Sequence, residues 1–321
     1  MGVVVFIART SRRALRWGAI VMTASVLKGA SPHREVQRHV LQRDGLAVTI
    51  ETAVQREIPR FDETASVSAL RWSGRDWLAS AGLVDEFGLE GFGVLGFKEA
   101  SLGGDFVKIG VGVLTRDLPG PYRFQHSYPR RSGFAVQVMA GETEVKVTQR
   151  GDVNGYGYDY GKTYTIERGG RLVIRYELTN RGARAFSFEH YNHNFFGLTS
   201  AGGAKSARIE TPLRLQHPPE GWSLTTDHGA QWVGDNFPAR GRFWRIPLDP
   251  PADKHALTLS FKDGYGVRMT GSSAVARLSV WLDETALCPE LFSRFALESG
   301  ETARWTRTYQ FFNSDERSAG L

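Results

Sequence analysis

Hydrophobic and polar residues alternate one by one along most of this chain, the spacing of a half-buried strand rather than of a helix. The pattern starts at about Gln37 and is clear in Ala47 to Val54, Ser66 to Trp72, Phe134 to Met139, Thr143 to Gln149 and Leu257 to Phe261, and Leu172 to Leu178 is strand-like too. No long stretch carries a helical period. The runs are short and closely spaced, broken by turn formers such as Asp152-Val153-Asn154-Gly155 and Lys262-Asp263-Gly264. That combination predicts an all-β fold, a large antiparallel β-sandwich. With no repeat, low-complexity tract or linker, residues 35–321 read as one domain.

Before that domain lies a segment of different character. Arg12-Arg13 precedes an apolar run, Trp17 to Leu27, and then Lys28-Gly29-Ala30-Ser31. A basic start, a short apolar run and small residues after it fit a bacterial export signal with a twin-arginine variant, although Lys28 stands where a cleavage rule wants a small residue. The run is too short for a stable membrane span. Residues 1–34 are therefore expected to be a leader, placing the protein in the periplasm or outside the cell, or in the cytoplasm if the leader is not a signal.

Composition adds exclusions. The chain has 321 residues, a formal charge of +6 and an isoelectric point near 9.5. The basic residues are dispersed and some of the excess sits in Arg9, Arg12, Arg13 and Arg16, so no nucleic-acid partner is expected. Cys288 is the single cysteine, which excludes an intrachain disulfide and a cage built from several thiolates. It reads as a packing residue.

The densest candidate chemistry is Phe188-Glu189-His190-Tyr191-Asn192-His193-Asn194-Phe195-Phe196-Gly197-Leu198. As a strand it would put His190, Asn192 and Asn194 on one face and Tyr191, His193 and Phe195 on the other. Buried polar groups in such number need hydrogen-bond partners, at about 1–3 kcal/mol for each one left unmade. A satisfied core histidine is the plain alternative to a catalytic one.

Asn192-His193-Asn194-Phe195-Phe196-Gly197-Leu198 resembles the Asn-His-x-Tyr/Phe-Phe-x-Leu segment of the galactose mutarotase (aldose 1-epimerase) family, and Tyr176 to Asn180 resembles the strand and turn leading into it. Near the C-terminus, Leu282-Asp283-Glu284-Thr285-Ala286-Leu287-Cys288-Pro289-Glu290 resembles a second segment of that family. The resemblance implies the galactose mutarotase-like supersandwich and an isomerase that interconverts sugar anomers, with Glu284 as base at the anomeric hydroxyl and His193 as acid at the ring oxygen. It implies no cofactor and no metal, and a small or oligomeric carbohydrate as partner. Asn192 would orient the imidazole or bind a hydroxyl, Arg71 would bind a hydroxyl, and His190 joins the substrate-binding candidates.

One part of the family pattern is missing. The His-Gly-Gly motif whose histidine helps hold the sugar does not occur between Gly82 and Leu114, where Asp85, Glu86, Lys98 and Lys108 are the available polar substitutes. His126 is a further stand-in for the absent histidine, a solvated turn the plain reading of Asp85-Glu86. Trp222, Trp232, Trp244, Tyr156, Tyr158 and Tyr160 are candidate sugar-stacking platforms or core filling. Two other functions suit the fold: a non-catalytic carbohydrate-binding module, and a polysaccharide lyase or glycoside-processing enzyme.

Overall fold

The computed structural model describes residues 23–26, 36–198, 207–225, 230–234, 241–253 and 255–313. Among the described residues, twenty-four strands form three antiparallel sheets, and none of those residues is helical. The largest sheet has eleven strands, in the order Thr23–Val26, Val136–Ala140, Glu144–Val153, Tyr156–Glu167, Arg171–Asn180, Thr302–Phe312, Gly266–Gly271, His255–Phe261, Ala207–Thr211, Ala230–Gly234 and Trp222–Leu224. A nine-stranded sheet runs Arg242–Ala252, Val275–Leu282, Ala286–Leu297, Phe186–Gly197, Leu78–Phe87, Ala65–Trp72, Leu46–Thr52 and Gln37–Arg43, with Arg75–Asp76 paired to Ala65–Trp72. A small sheet of Arg130–Gly133, Gly112–Thr115, Asp105–Lys108 and Val94–Leu95 completes the set. Every alternating run read from the sequence falls on a strand, and Asn154-Gly155, both with positive φ, forms the hairpin joining Glu144–Val153 to Tyr156–Glu167. Such a pair of left-handed residues matches the twist of the strands it connects.

The two large sheets pack face to face. Between them lie Val48, Ile50, Val67, Phe87, Tyr164, Ile174, Leu178, Phe188 and Trp305, all buried. Tyr158, Tyr160, Trp222 and Trp232 belong to this core, so four of the six aromatics considered as sugar platforms fill the interior. Polar groups cross it too. The Lys162 ammonium, fully buried, sits 2.8 Å from Asp62 and 2.9 Å from Asp85 and donates to the Ala65 carbonyl at 2.5 Å. Burial opposes that charge, yet the two carboxylates hold the Lys162 pKa well above its usual value. Asp62 is itself fixed by Thr64 and Tyr160. Gly110, at φ +79°, passes so close that an added Cβ would stand 2.6 Å from Asp62 Oδ1. Only glycine fits that turn.

One reading of the Gly82 to Leu114 stretch changes here. Asp85 and Glu86 form no solvated turn: they end the Leu78–Phe87 strand, 3% and 0% exposed. The leader, residues 1–34, lies mostly outside the described residues; Thr23–Val26 pairs antiparallel with Val136–Ala140 at the sheet edge. No helix among the described residues is long and apolar enough to cross a membrane.

Candidate functional site

The strand Phe186–Gly197 lies between Leu78–Phe87 and Ala286–Leu297, and its alternation sorts the polar residues into two separate compartments. One faces the inter-sheet core. There His190 Nε2 lies 3.3 Å from Asp85 Oδ1, and His190 Nδ1 accepts from the Trp305 indole at 3.1 Å. Asn192 donates to Asp85 and to the Tyr176 hydroxyl and accepts from Arg307 Nε. Asn194 donates to the Pro289 carbonyl at 2.6 Å and accepts from Tyr309 at 2.7 Å. Burial, unopposed by enough negative charge, lowers the His190 pKa. Apart from His190 Nε2, which makes no hydrogen bond, these groups satisfy one another and tie the sheets together.

The second compartment lies on the opposite face, where Glu86, Tyr191, His193, Cys288 and Glu290 converge. His193 and Glu290 meet because the two strands keep one register on both sides of a gap in their hydrogen bonding: His190 pairs with Ser293 and Phe196 with Leu287, which sets His193 across from Glu290. Pro289, without an N–H, lies within the gap, and the opposite edge of the strand carries a bulge between Asn194 and Phe196. Bulges gather where a side chain must be re-aimed.

His193 is held by a carboxylate at each ring nitrogen. Its Nδ1 is 2.6 Å from Glu290 Oε1 and its Nε2 3.0 Å from Glu86 Oε2. Burial works against the charged imidazole, but Glu290 and then Glu86 outweigh it and raise the pKa to about 8. Glu86 also accepts from Tyr191 at 2.5 Å and Arg60 at 2.8 Å through Oε2, and from Lys108 at 3.2 Å through Oε1. Burial would raise its pKa; Lys108, His193 and Arg60 bring it down to about 2. Lys108, from the small sheet, is fully buried and also donates to Tyr122. Glu290 accepts a weak bond from Cys288 Sγ at 3.6 Å, and burial pushes the thiol pKa well up.

A roof closes the cluster. Phe61 meets the His193 ring edge-on at 4.9 Å between centroids, and the Arg60 guanidinium sits 4.9 Å from the Phe61 ring and 4.5 Å from Phe124. His193 is left 5% exposed. Phe61 and the Arg60–Glu86 pair thus cover the imidazole.

Of the residues singled out from the sequence, His193, Glu86 and Lys108 share this compartment. His190, Asn192 and Asp85 lie on the other face of the sheet, so they cannot touch a ligand bound at His193. Glu284 stands exposed in the turn between Val275–Leu282 and Ala286–Leu297, where Asp283 caps the turn through Thr285 and Ala286. The carboxylate beside His193 is Glu290, six residues further on. Arg71 is exposed and reaches only the Gly74 carbonyl at 3.5 Å, and His126 pairs with Asp117 at 2.8 Å. Neither joins the cluster. Missing from the sequence reading were Glu290, Arg60, Tyr191 and the closeness of Cys288. The available signal was parity: Cys288, Glu290 and Phe292 share one face of a strand whose partner places His193 on the same side.

A wide concavity lies elsewhere. It measures about 850 Å³ and spreads over the outer face of the eleven-stranded sheet around Gly161, Thr148, Thr163 and Thr306, bordered by the Arg150–Asp159 and Arg304–Glu177 ion pairs.

No family model matches the chain, and no curated protein does. Solved structures share the fold. A galactose mutarotase related enzyme from Lactobacillus acidophilus superposes with a TM-score of 0.56 at 10% identity, covering 87% of this chain and 98% of its own. The galactose 1-epimerase of Lactobacillus acidophilus NCFM gives 0.54 at 12% identity, over 92% and 99%. An aldose epimerase homologue from C. elegans gives 0.54 at 13%, over 87% and 99%. The chain thus has the galactose mutarotase-like architecture over nearly the full length of those proteins.

Proposed function

We propose that this protein is an aldose 1-epimerase-like isomerase in which His193 is the acid and Glu290, in place of Glu284, the base. Ring opening of a sugar needs a proton delivered to the ring oxygen while the anomeric hydroxyl loses one; the aldehyde then rotates and closes again. A histidine kept protonated near neutral pH beside a carboxylate meets both needs, and positioned proton transfer contributes about 10²–10⁴-fold. The observation that carries the reading is the 2.6 Å contact between His193 and Glu290 on this fold. Glu86 holds the imidazole by its other nitrogen, a role open to it because Lys108 and Arg60 fix its own position. Arg60, Phe61 and Phe124 cover the pair, and a sugar would reach it only with them moved aside.

The test is mutarotation followed by polarimetry on freshly dissolved hexoses, pentoses and uronates. Acceleration over buffer for at least one sugar is expected, and no acceleration across the panel overturns the assignment. The outer concavity supports a second reading, non-catalytic carbohydrate binding on the eleven-stranded sheet. Saturable glycan binding without turnover, weakened by Thr163→Trp in the concavity and unchanged by Glu290→Gln, would favour it.

A further inference from the structure

A single cysteine cannot build a cage of thiolates, but it can complete a mixed one. Cys288 and Glu290 lie two apart on one strand and so project to the same face, and His193 enters from the facing strand. His193 Nδ1 or Nε2, Cys288 Sγ and a Glu290 oxygen all lie within 4.8 Å of one another, and all three residues are buried. We propose that His193, Cys288 and Glu290 form a binding site for a divalent cation of the zinc class, with one coordination position left open. This inference does not rest on the epimerase reading.

Three features argue for it. First, imidazole, thiolate and carboxylate together are the donor set of a borderline-soft ion. Bonds of about 2.0–2.3 Å to a tetrahedral centre separate the donors by roughly 3.3–3.7 Å. The Sγ to Oε1 distance is already 3.6 Å, and the Nδ1 to Oε1 pair, at 2.6 Å, has to open modestly.

Second, the outer shell is built. A metal-bound histidine usually gives its other N–H to a carboxylate, which fixes the tautomer and makes the ligand nitrogen a better donor. Glu86 stands at His193 Nε2, 3.0 Å away, and is itself locked by Lys108, Arg60 and Tyr191. Nδ1 is thereby directed at Glu290.

Third, Ser279 is the cross-strand partner of Glu290 and fully buried, and its hydroxyl has no hydrogen-bond partner. A buried hydroxyl without a partner is uncommon and needs a reason. A water in the open coordination position, or the carboxylate drawn aside by the metal, supplies one.

A cation bound there would hold the very groups proposed to move protons, so zinc would act as an inhibitor of any turnover at His193.

The experiment uses the full chain stripped with a chelator and titrated with Co²⁺ alone, followed by absorption spectroscopy. One equivalent should bind, with a thiolate-to-cobalt charge-transfer band and the strong visible absorption of tetrahedral Co²⁺, both erased by adding Zn²⁺. Cys288→Ala should remove the charge-transfer band, and Glu290→Gln should weaken binding at least tenfold; Cys288→Ser serves if the alanine variant fails to fold. The proposal is overturned by absence of saturable one-to-one binding, or by a band that survives unchanged in the Cys288 variants. Because binding is read directly, a failed mutarotation assay leaves this result unaffected.

Discussion

His193 carries a proton that two carboxylates keep on it, and the pH dependence of stability should report that. Its pKa rises from an ordinary 6.5 to about 8, which corresponds to about 2 kcal/mol. The group is charged more firmly in the folded state, so its contribution is fully present below about pH 6.5 and lost as the pH climbs through 8. Urea unfolding of the parent should therefore lose about 2 kcal/mol across that window relative to His193→Gln. Equal slopes for the two proteins would deny the imidazolium. Glu86→Gln should be harsher, by about 3–5 kcal/mol, because Lys108 is left buried without its carboxylate; a deficit under 1 kcal/mol in chemical denaturation would show that the pair is solvated. Residue identity explains why the site was half legible in the sequence. His193 announces itself by its aromatic and amide neighbours. Glu284 and Glu290 flank the same short segment, and only strand parity together with the register across the gap distinguishes an exposed turn acid from a buried partner.

Elements were easier to read than their faces. Alternation located the strands because each buries one side, and Asn-Gly and Asp-Gly marked hairpins through backbone conformations few other residues adopt. What alternation cannot say is which side faces which layer, and Phe186–Gly197 has polar groups on both. Asn192 and His193 are adjacent in sequence yet belong to different compartments. Asn194 shows what the inner face does: it joins Pro289 on the neighbouring strand to Tyr309 on the opposing sheet. Asn194→Ala should strand the Tyr309 hydroxyl and the Pro289 carbonyl in the core and cost about 2–4 kcal/mol, taking about 1–3 kcal/mol for each unsatisfied group with partial relaxation. Thermal or urea denaturation checks this, and a change within 0.5 kcal/mol would mean that the sheets are held by apolar contacts alone.

At the scale of the whole molecule, the sandwich class follows from pattern and the large size of its sheets from the number of runs; the polar crossing between sheets does not, because its partners are up to about a hundred residues apart in sequence. Lys162 is its clearest member. Lys162→Met would leave Asp62 and Asp85 facing each other without a cation, costing about 3–5 kcal/mol near neutral pH. Without the ammonium the Asp85 carboxylate would lose the charge that holds it below its usual range, so the deficit should shrink as the solution is acidified toward pH 4, and a deficit independent of pH would contradict the clamp. The same architecture that isolates this clamp from the outer face isolates His193 with Glu290 and Glu86 under the roof of Arg60 and Phe61. The measurement that tests this most directly is anomer exchange by proton NMR on a sugar the parent turns over, comparing His193→Gln, Glu290→Gln and Glu284→Gln. Most exchange should vanish in each of the first two, with the double variant little worse than either single one, while Glu284→Gln keeps the parent rate; loss of exchange in Glu284→Gln, or retention in Glu290→Gln, would contradict the assignment of the base.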